Sequence, residues 1–166
     1  TISDLIAYRR RHDNLVRERS VKRVHSLHGG DWLMRIFADQ AQGAEHVVLT
    51  KGDLAAPGPV LVRMHALNPL EDVLGIGDDH VGDLQRAMRL IAIEGRGVVV
   101  LLRDTAMKLV EAEASPQTLR QYGLGAQILS SLGLSEITLV SNSATPKVVG
   151  LDAYGLTIAG TRPIGG

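Results

Sequence analysis

The 166-residue sequence predicts a mixed α/β fold with a β-rich N-terminal half and alternating helices and strands behind it. Three observations carry that prediction. Four apolar β segments follow one another between residues 21 and 64, separated by turns and by nothing of helical period. In two later stretches apolar residues recur at helical spacing, each ahead of a short strand run. The length suits one domain with one sizeable core.

Val21–His28 and Trp32–Asp39 flank His28-Gly29-Gly30-Asp31, whose two glycines can take the positive φ of a hairpin turn. Glu45–Thr50 is the third strand, closed by Lys51-Gly52-Asp53. Pro57-Gly58-Pro59 marks the loop ahead of the strand Val60–Met64. Strands in succession without an intervening helix imply an antiparallel or mixed sheet. Val81, Leu84, Met88 and Ile91 then define a helix, which Gly95 closes before the buried run Val98–Leu102. Ser115-Pro116 reads as the N-cap and first residue of the next helix. Its apolar face is Leu119, Tyr122, Ala126 and Leu129, and Gly133 is its stop. Glu136–Val140 is a strand, Val148–Tyr154 a short helix, and Leu156–Ala159 the last strand. At the opening, residues 1–20 read as a connector helix, with Ile2, Leu5 and Ile6 as an apolar stripe and Ser3-Asp4 as its cap.

Composition removes several function classes. With 45% apolar and 22% charged residues the chain is not a disordered one. Its 18 basic and 18 acidic side chains cancel, so neither nucleic acid nor a membrane surface is expected as partner. No apolar run reaches the roughly 18–20 residues of a membrane span, and no signal peptide opens the chain, so the expected location is the cytoplasm. The absence of cysteine excludes disulfides, thiolate nucleophiles and cysteine-ligated metals. The charge is nonetheless uneven. Residues 1–23 carry Arg9, Arg10, Arg11, Arg17, Arg19, Lys22 and Arg23 against three acids, whereas 71–83 carry five acids and no Lys or Arg. The start at Thr1, without an initiator Met, suggests a piece of a longer protein.

Gly75-Ile76-Gly77-Asp78-Asp79-His80-Val81-Gly82 has the look of a phosphate loop. Its last glycine stands two places too late for the dinucleotide fingerprint, and carboxylates occupy the phosphate's place. Asp78, Asp79, His80 and Asp83, with His65 upstream, are hard-cation ligand types. Acids at a loop-to-helix junction also offset the helix dipole, and that plainer reading is preferred. Arg63, Arg103 and Lys147 stand beside apolar β runs, where a cation suits an anionic substrate. No Gly-x-Ser-x-Gly elbow or triad spacing is present.

The string Gln121-Tyr122-Gly123-Leu124-Gly125-Ala126-Gln127-Ile128-Leu129, with Leu132-Gly133, Leu139-Val140-Ser141-Asn142 and Lys147-Val148-Val149-Gly150-Leu151 after it, resembles GTP cyclohydrolase II of riboflavin biosynthesis. Val62-Arg63-Met64-His65, Glu94-Gly95-Arg96-Gly97 and Arg162-Pro163-Ile164 extend the resemblance over residues 21–166. Residues 1–20 look like the connector that follows 3,4-dihydroxy-2-butanone 4-phosphate synthase in bifunctional riboflavin proteins. The resemblance implies a homodimer, a covalently linked synthase domain, and a zinc held by three cysteines, which supplies the hydroxide that opens the purine ring. Counted from His65, with Gly82 as the family glycine, those cysteine positions are Asn68, Asp79 and Val81. The substrate loop Arg-Gln-Glu-Gly-Arg-Gly is reduced here to Arg103-Asp104-Thr105-Ala106-Met107-Lys108. In the Asp-x-Arg-x-Tyr motif Arg120 and Tyr122 remain, but the general-base aspartate is Thr118.

The resemblance therefore implies a cyclohydrolase-like domain without zinc cofactor and without cyclohydrolase activity, a structural or regulatory module of the synthase. Arg120 holds the family's catalytic position without its function. Arg63, His65, Ser141 and Lys147 remain where the family handles nucleotide or phosphates, so GTP or another phosphate-bearing ligand is the expected weak partner. The alternative is an active nucleotide hydrolase, either the full cyclohydrolase or a zinc-independent variant acting on GTP.

Overall fold

A computed structural model describes residues 2, 16–41, 43–103, 109, 116–142 and 151–165, without the side chains of 116–121. Its strands are β1 (Val16–Ser26), β2 (Gly30–Asp39), β3 (Glu45–Lys51), β4 (Val60–Ala66), β5 (Gly97–Leu102), β6 (Glu136–Val140) and β7 (Thr157–Arg162). They form one sheet in the order β1-β2-β3-β5-β4-β6-β7. Pairing is antiparallel from β1 through β2 and β3 to β5. It is parallel between β4 and β5, β4 and β6, and β6 and β7. The mixed α/β class read from the sequence is the one observed. Besides helical Ile2, the helices among the described residues are α1 (Pro69–Asp72), a single turn, then α2 (Asp83–Glu94) and α3 (Pro116–Ser131).

Alternation decides which side of each strand meets which helix. Val48, Val62, Met64, Val100 and Leu102 face one side and pack with Ala126, Ile128 and Leu129 of α3. On the other side Trp32 and Val99 pack with Met88 and Ile91 of α2. The run Gly97-Val98-Val99-Val100-Leu101-Leu102 has no polar residue because β5 is covered on both faces. Each fully buried Val or Ile here contributes about 1.5–3 kcal/mol relative to exposure. Trp32 keeps its polar atom satisfied by donating Nε1–H to the His28 carbonyl at 3.0 Å.

Three sequence expectations shift. The connector-helix reading of residues 1–20 holds at Ile2, which is helical, and fails over 16–20, because β1 begins at Val16 and takes those residues into the sheet. The hairpin turn is Leu27-His28-Gly29, with Gly30 already paired to Ser26, one residue earlier than read. In place of a helix over Val148–Tyr154, a 3₁₀ turn covers Asp152–Tyr154, and 148–150 lie outside the described residues. Ser115 also lies outside them, although α3 does open on Pro116.

Candidate active site

The carboxyl ends of the parallel strands β4 and β6 gather the polar residues. Arg63 and His65 are two apart on β4 and so project to the same face, away from Val62 and Met64. Arg63 donates from Nη1 to the carbonyl of Val140, the last residue of β6, at 3.1 Å. Its Nη2 donates to His65 Nδ1 at 3.1 Å and lies 3.9 Å from Asp83 Oδ2. His65 Nε2 reaches Asp72 Oδ2 at 2.9 Å, and the same oxygen accepts the Asn68 N–H at 2.9 Å.

A guanidinium can only donate, so His65 Nδ1 must be the acceptor and Nε2 must carry the proton. The imidazole is therefore neutral. Burial, which disfavours the charged form, lowers its pKa as well, with the Asp72 hydrogen bond pulling the other way. Burial also lowers Arg63, opposed first by the Asp83 carboxylate and then by Tyr122. Asp83 opens α2 and is buried; it takes Arg86 Nη2 at 2.8 Å and His80 Nδ1 at 3.1 Å. His80 itself remains 70% exposed. The result is a line Asp72–His65–Arg63–Asp83–Arg86, in which the neutral imidazole joins the Asp72 carboxylate to Arg63 and Asp83 stands between two guanidiniums. Three buried atoms of the line, Arg63 Nε, Asp72 Oδ1 and Arg86 Nε, have no hydrogen-bond partner among the described residues.

Of the site residues read from the sequence, Arg63 and His65 thus stand together, and Ser141 follows the Val140 that holds Arg63. Ser141 N–H donates to the Arg162 carbonyl at 2.9 Å. Arg120 belongs to α3, its side chain lying outside the described residues, as does all of Lys147. Arg103 is elsewhere: it donates its backbone N–H to His46 Nδ1 and Nη1 to the Glu45 carbonyl. The acids that answer Arg63 are Asp72 and Asp83, while Asp78 and Asp79 are exposed in the loop. Asp72 was not legible as a partner, because only the fold of α1 returns it to His65.

The donor set does not fit the zinc that the resemblance implies. Asn68 is the N-cap of α1, its Oδ1 accepting the Leu70 N–H at 3.1 Å. Val81 offers only hydrocarbon. Among the described residues no three His, Asp or Glu side chains converge as metal ligands.

A family model described as GTP cyclohydrolase II matches residues 17–163. The monofunctional riboflavin biosynthesis protein RIBA 2, chloroplastic, of Arabidopsis thaliana is 34% identical over 180 residues, covering 99% of this chain and 37% of that protein. The riboflavin biosynthesis protein RibBA of Salinispora arenicola is 37% identical over 185 residues, covering 96% and 43%. Among solved structures, RibBX, a two domain 3,4-dihydroxy-2-butanone 4-phosphate synthase from A. baumannii, superposes with a TM-score of 0.66. That match is 23% identical and covers 98% of this chain and 44% of the other, a likeness of fold. The chain spans less than half the length of each of these proteins.

Proposed function

Since the chain belongs to the GTP cyclohydrolase II family, we propose that it is a module of a riboflavin-biosynthesis protein that has lost the cyclohydrolase reaction and its zinc. Asn68 carries this reading. Its side chain is committed to capping α1 at the position where a thiolate would be needed, and no cysteine elsewhere in the chain can replace it. The residues from Asp72 to Arg86 are occupied chiefly with one another, through the Asp72–His65, His65–Arg63 and Asp83–Arg86 hydrogen bonds, which supports the same reading. The module would act structurally or as a regulator within a cytoplasmic homodimer, fused to a 3,4-dihydroxy-2-butanone 4-phosphate synthase. Weak binding of GTP or another phosphate-bearing ligand belongs to the same proposal. For such a ligand the resemblance supplies Arg63, His65, Ser141 and Lys147, with Arg120 at the family's catalytic position; of these Arg63 and His65 also bond to one another.

A zinc-independent hydrolase is the competing reading. In its favour is His80, exposed yet oriented through Nδ1 by the buried Asp83, an arrangement suited to proton transfer. Elemental analysis and a formate-release assay with GTP separate the readings. The expected result is neither stoichiometric zinc nor formate. One zinc per chain surviving mild chelation, or turnover of GTP, overturns the proposal.

A further inference from the structure

The sheet is apolar on both faces, yet part of the face that carries α2 has no helix over it among the described residues. Register sets out its rows. Ser20 pairs with Ile36, Ile36 with Val47, Val47 with Leu101 and Leu101 with His65, so these side chains share one face. The next row on that face is Lys22, Met34, Leu49, Val99 and Arg63. α2 starts at this second row: its first residue, Asp83, stands 3.9 Å from Arg63, and its apolar side packs on Val99, Leu49 and Trp32. Met34, Ile36, Val47 and Leu101 join none of the buried clusters and are each half-buried. β3 shows the contrast within one strand. Val48 is fully buried under α3, whereas Val47 on the other face is not. Aliphatic side chains on both faces of an antiparallel strand imply cover on both, and contiguous exposed apolar surface marks an interaction site. An open sheet face does not enclose a small ligand, so the cover it suits is macromolecular.

The flanks of the strip are oppositely charged. On the β1 side Arg17, paired with Ala38, and Lys22, paired with Met34, lie on the same face. Both are exposed, and neither has a salt bridge among the described residues. On the β4 side α1 and the loop to α2 stand at the sheet end, held there by Asp72 on His65 and Asp83 on Arg63. That loop presents Asp78 and Asp79, likewise exposed and without a salt bridge among the described residues. It adds exposed Val73, Leu74 and Ile76 to the apolar part. Leu74 N–H on the Pro69 carbonyl at 3.1 Å and Ile76 N–H on the Leu70 carbonyl at 2.8 Å tie down its backbone. Glu45, the acid within the strip, has Arg103 beside it, whose Nη1 donates to its carbonyl at 3.2 Å. The patch is thus basic at one flank, apolar at the centre and acidic at the other flank. A patch so arranged is complementary to its own copy after a half-turn.

We propose that this face docks on the same face of a second copy of the chain around a two-fold axis. Arg17 and Lys22 of each protomer then meet Asp78 and Asp79 of the other, across a centre of Ile36, Val47 and Leu101. The proposal rests on the homodimer proposed above and assigns its surface. An apolar centre with a charged rim is the ordinary anatomy of such an interface, and the two-fold axis makes each charge contact twice.

Light scattering and sedimentation of the intact chain carry the test. Arg17→Glu with Lys22→Glu, and separately Asp78→Lys with Asp79→Lys, place like charges at both contacts. Each pair should raise the dimer dissociation constant at least about tenfold. All four positions are exposed, so circular dichroism should stay unchanged; Lys22→Glu and Asp79→Lys alone serve if a double variant fails to fold. Mixed in equal amounts, the two variants should recover a dimer holding one chain of each, because both contacts then join opposite charges. The chain has no cysteine, so Ile36→Cys gives a single thiol. That thiol should react with a maleimide at least about tenfold more slowly in the dimer than in the charge-reversed monomer. A monomer mass for the unaltered chain at high concentration removes the homodimer itself, and the surface with it. A dimer that persists in both folded variants, with no preference for mixed pairs, leaves the homodimer standing and overturns this surface. Equal thiol rates in monomer and dimer assign the cover to the chain's own residues and overturn it as well.

Discussion

Asp72 holds three things at once: the proton of His65 Nε2, the N–H of Asn68, and through His65 the direction of Arg63. Asp72→Ala should therefore cost about 2–3 kcal/mol, the range for a buried hydrogen bond to a charged group with its neighbours left unpaired. For a domain of this size that is a fall of roughly 4–12 °C in Tm, readable by calorimetry. A change below one degree would mean that the line is decorative. His65 also sets a pH dependence. Burial holds His65 and His46 below the ordinary histidine value of 6.5, so the unfolded chain binds protons that the folded chain refuses. Stability is complete above that value and should fall as the pH drops from about 6.5 toward the depressed folded values. Urea midpoints at pH 7.5 and 5.5 test the sign. His65→Gln, whose amide can still donate to Asp72 and accept from Arg63, should remove part of the difference.

Among the elements, those with a buried face were legible and those without were not. β3 and β5 carry alternation or an unbroken apolar run because helices cover them, and their residues were read to within one position. β1 is an edge strand exposed along most of its length, so Val16-Arg17-Glu18-Arg19 offers no period and passes for a solvated helix. The site divides in the same way. Arg63 and His65 were readable from their place on a strand and from the family likeness, but their acidic partners sit on helices whose docking no local pattern encodes. Turns show this too. Gly52 and Gly95 were both read as breaks, yet nothing in the sequence says that the two breaks touch. Gly52 has φ 78°, and a Cβ there would meet the Gly95 carbonyl oxygen. Gly52→Ala should thus destabilise by more than the roughly 1 kcal/mol of left-handed strain alone. Gly133→Ala, with similar φ and open space around it, should lose only that amount. Equal losses in denaturant titrations would remove the contact from the account.

At the scale of the whole molecule the proposed homodimer is open to a direct measurement. Light scattering should return twice the 17.8 kDa of one chain, and the monomer mass at high concentration would reject it. The sheet order has one more consequence. β1 carries exposed Arg17, Arg19, Lys22 and Arg23 at one edge, while exposed Asp78 and Asp79 follow β4, four strand positions away. At about 4.8 Å per position β1 and β4 themselves are roughly 19 Å apart. A chain of zero net charge then still presents, among its described residues, a basic edge and a separate acidic loop. As a monomer at neutral pH and low ionic strength it should adhere to both cation- and anion-exchange resins, presenting a different edge to each, and about 0.15 M salt should release it from either as the field shortens to about 8 Å.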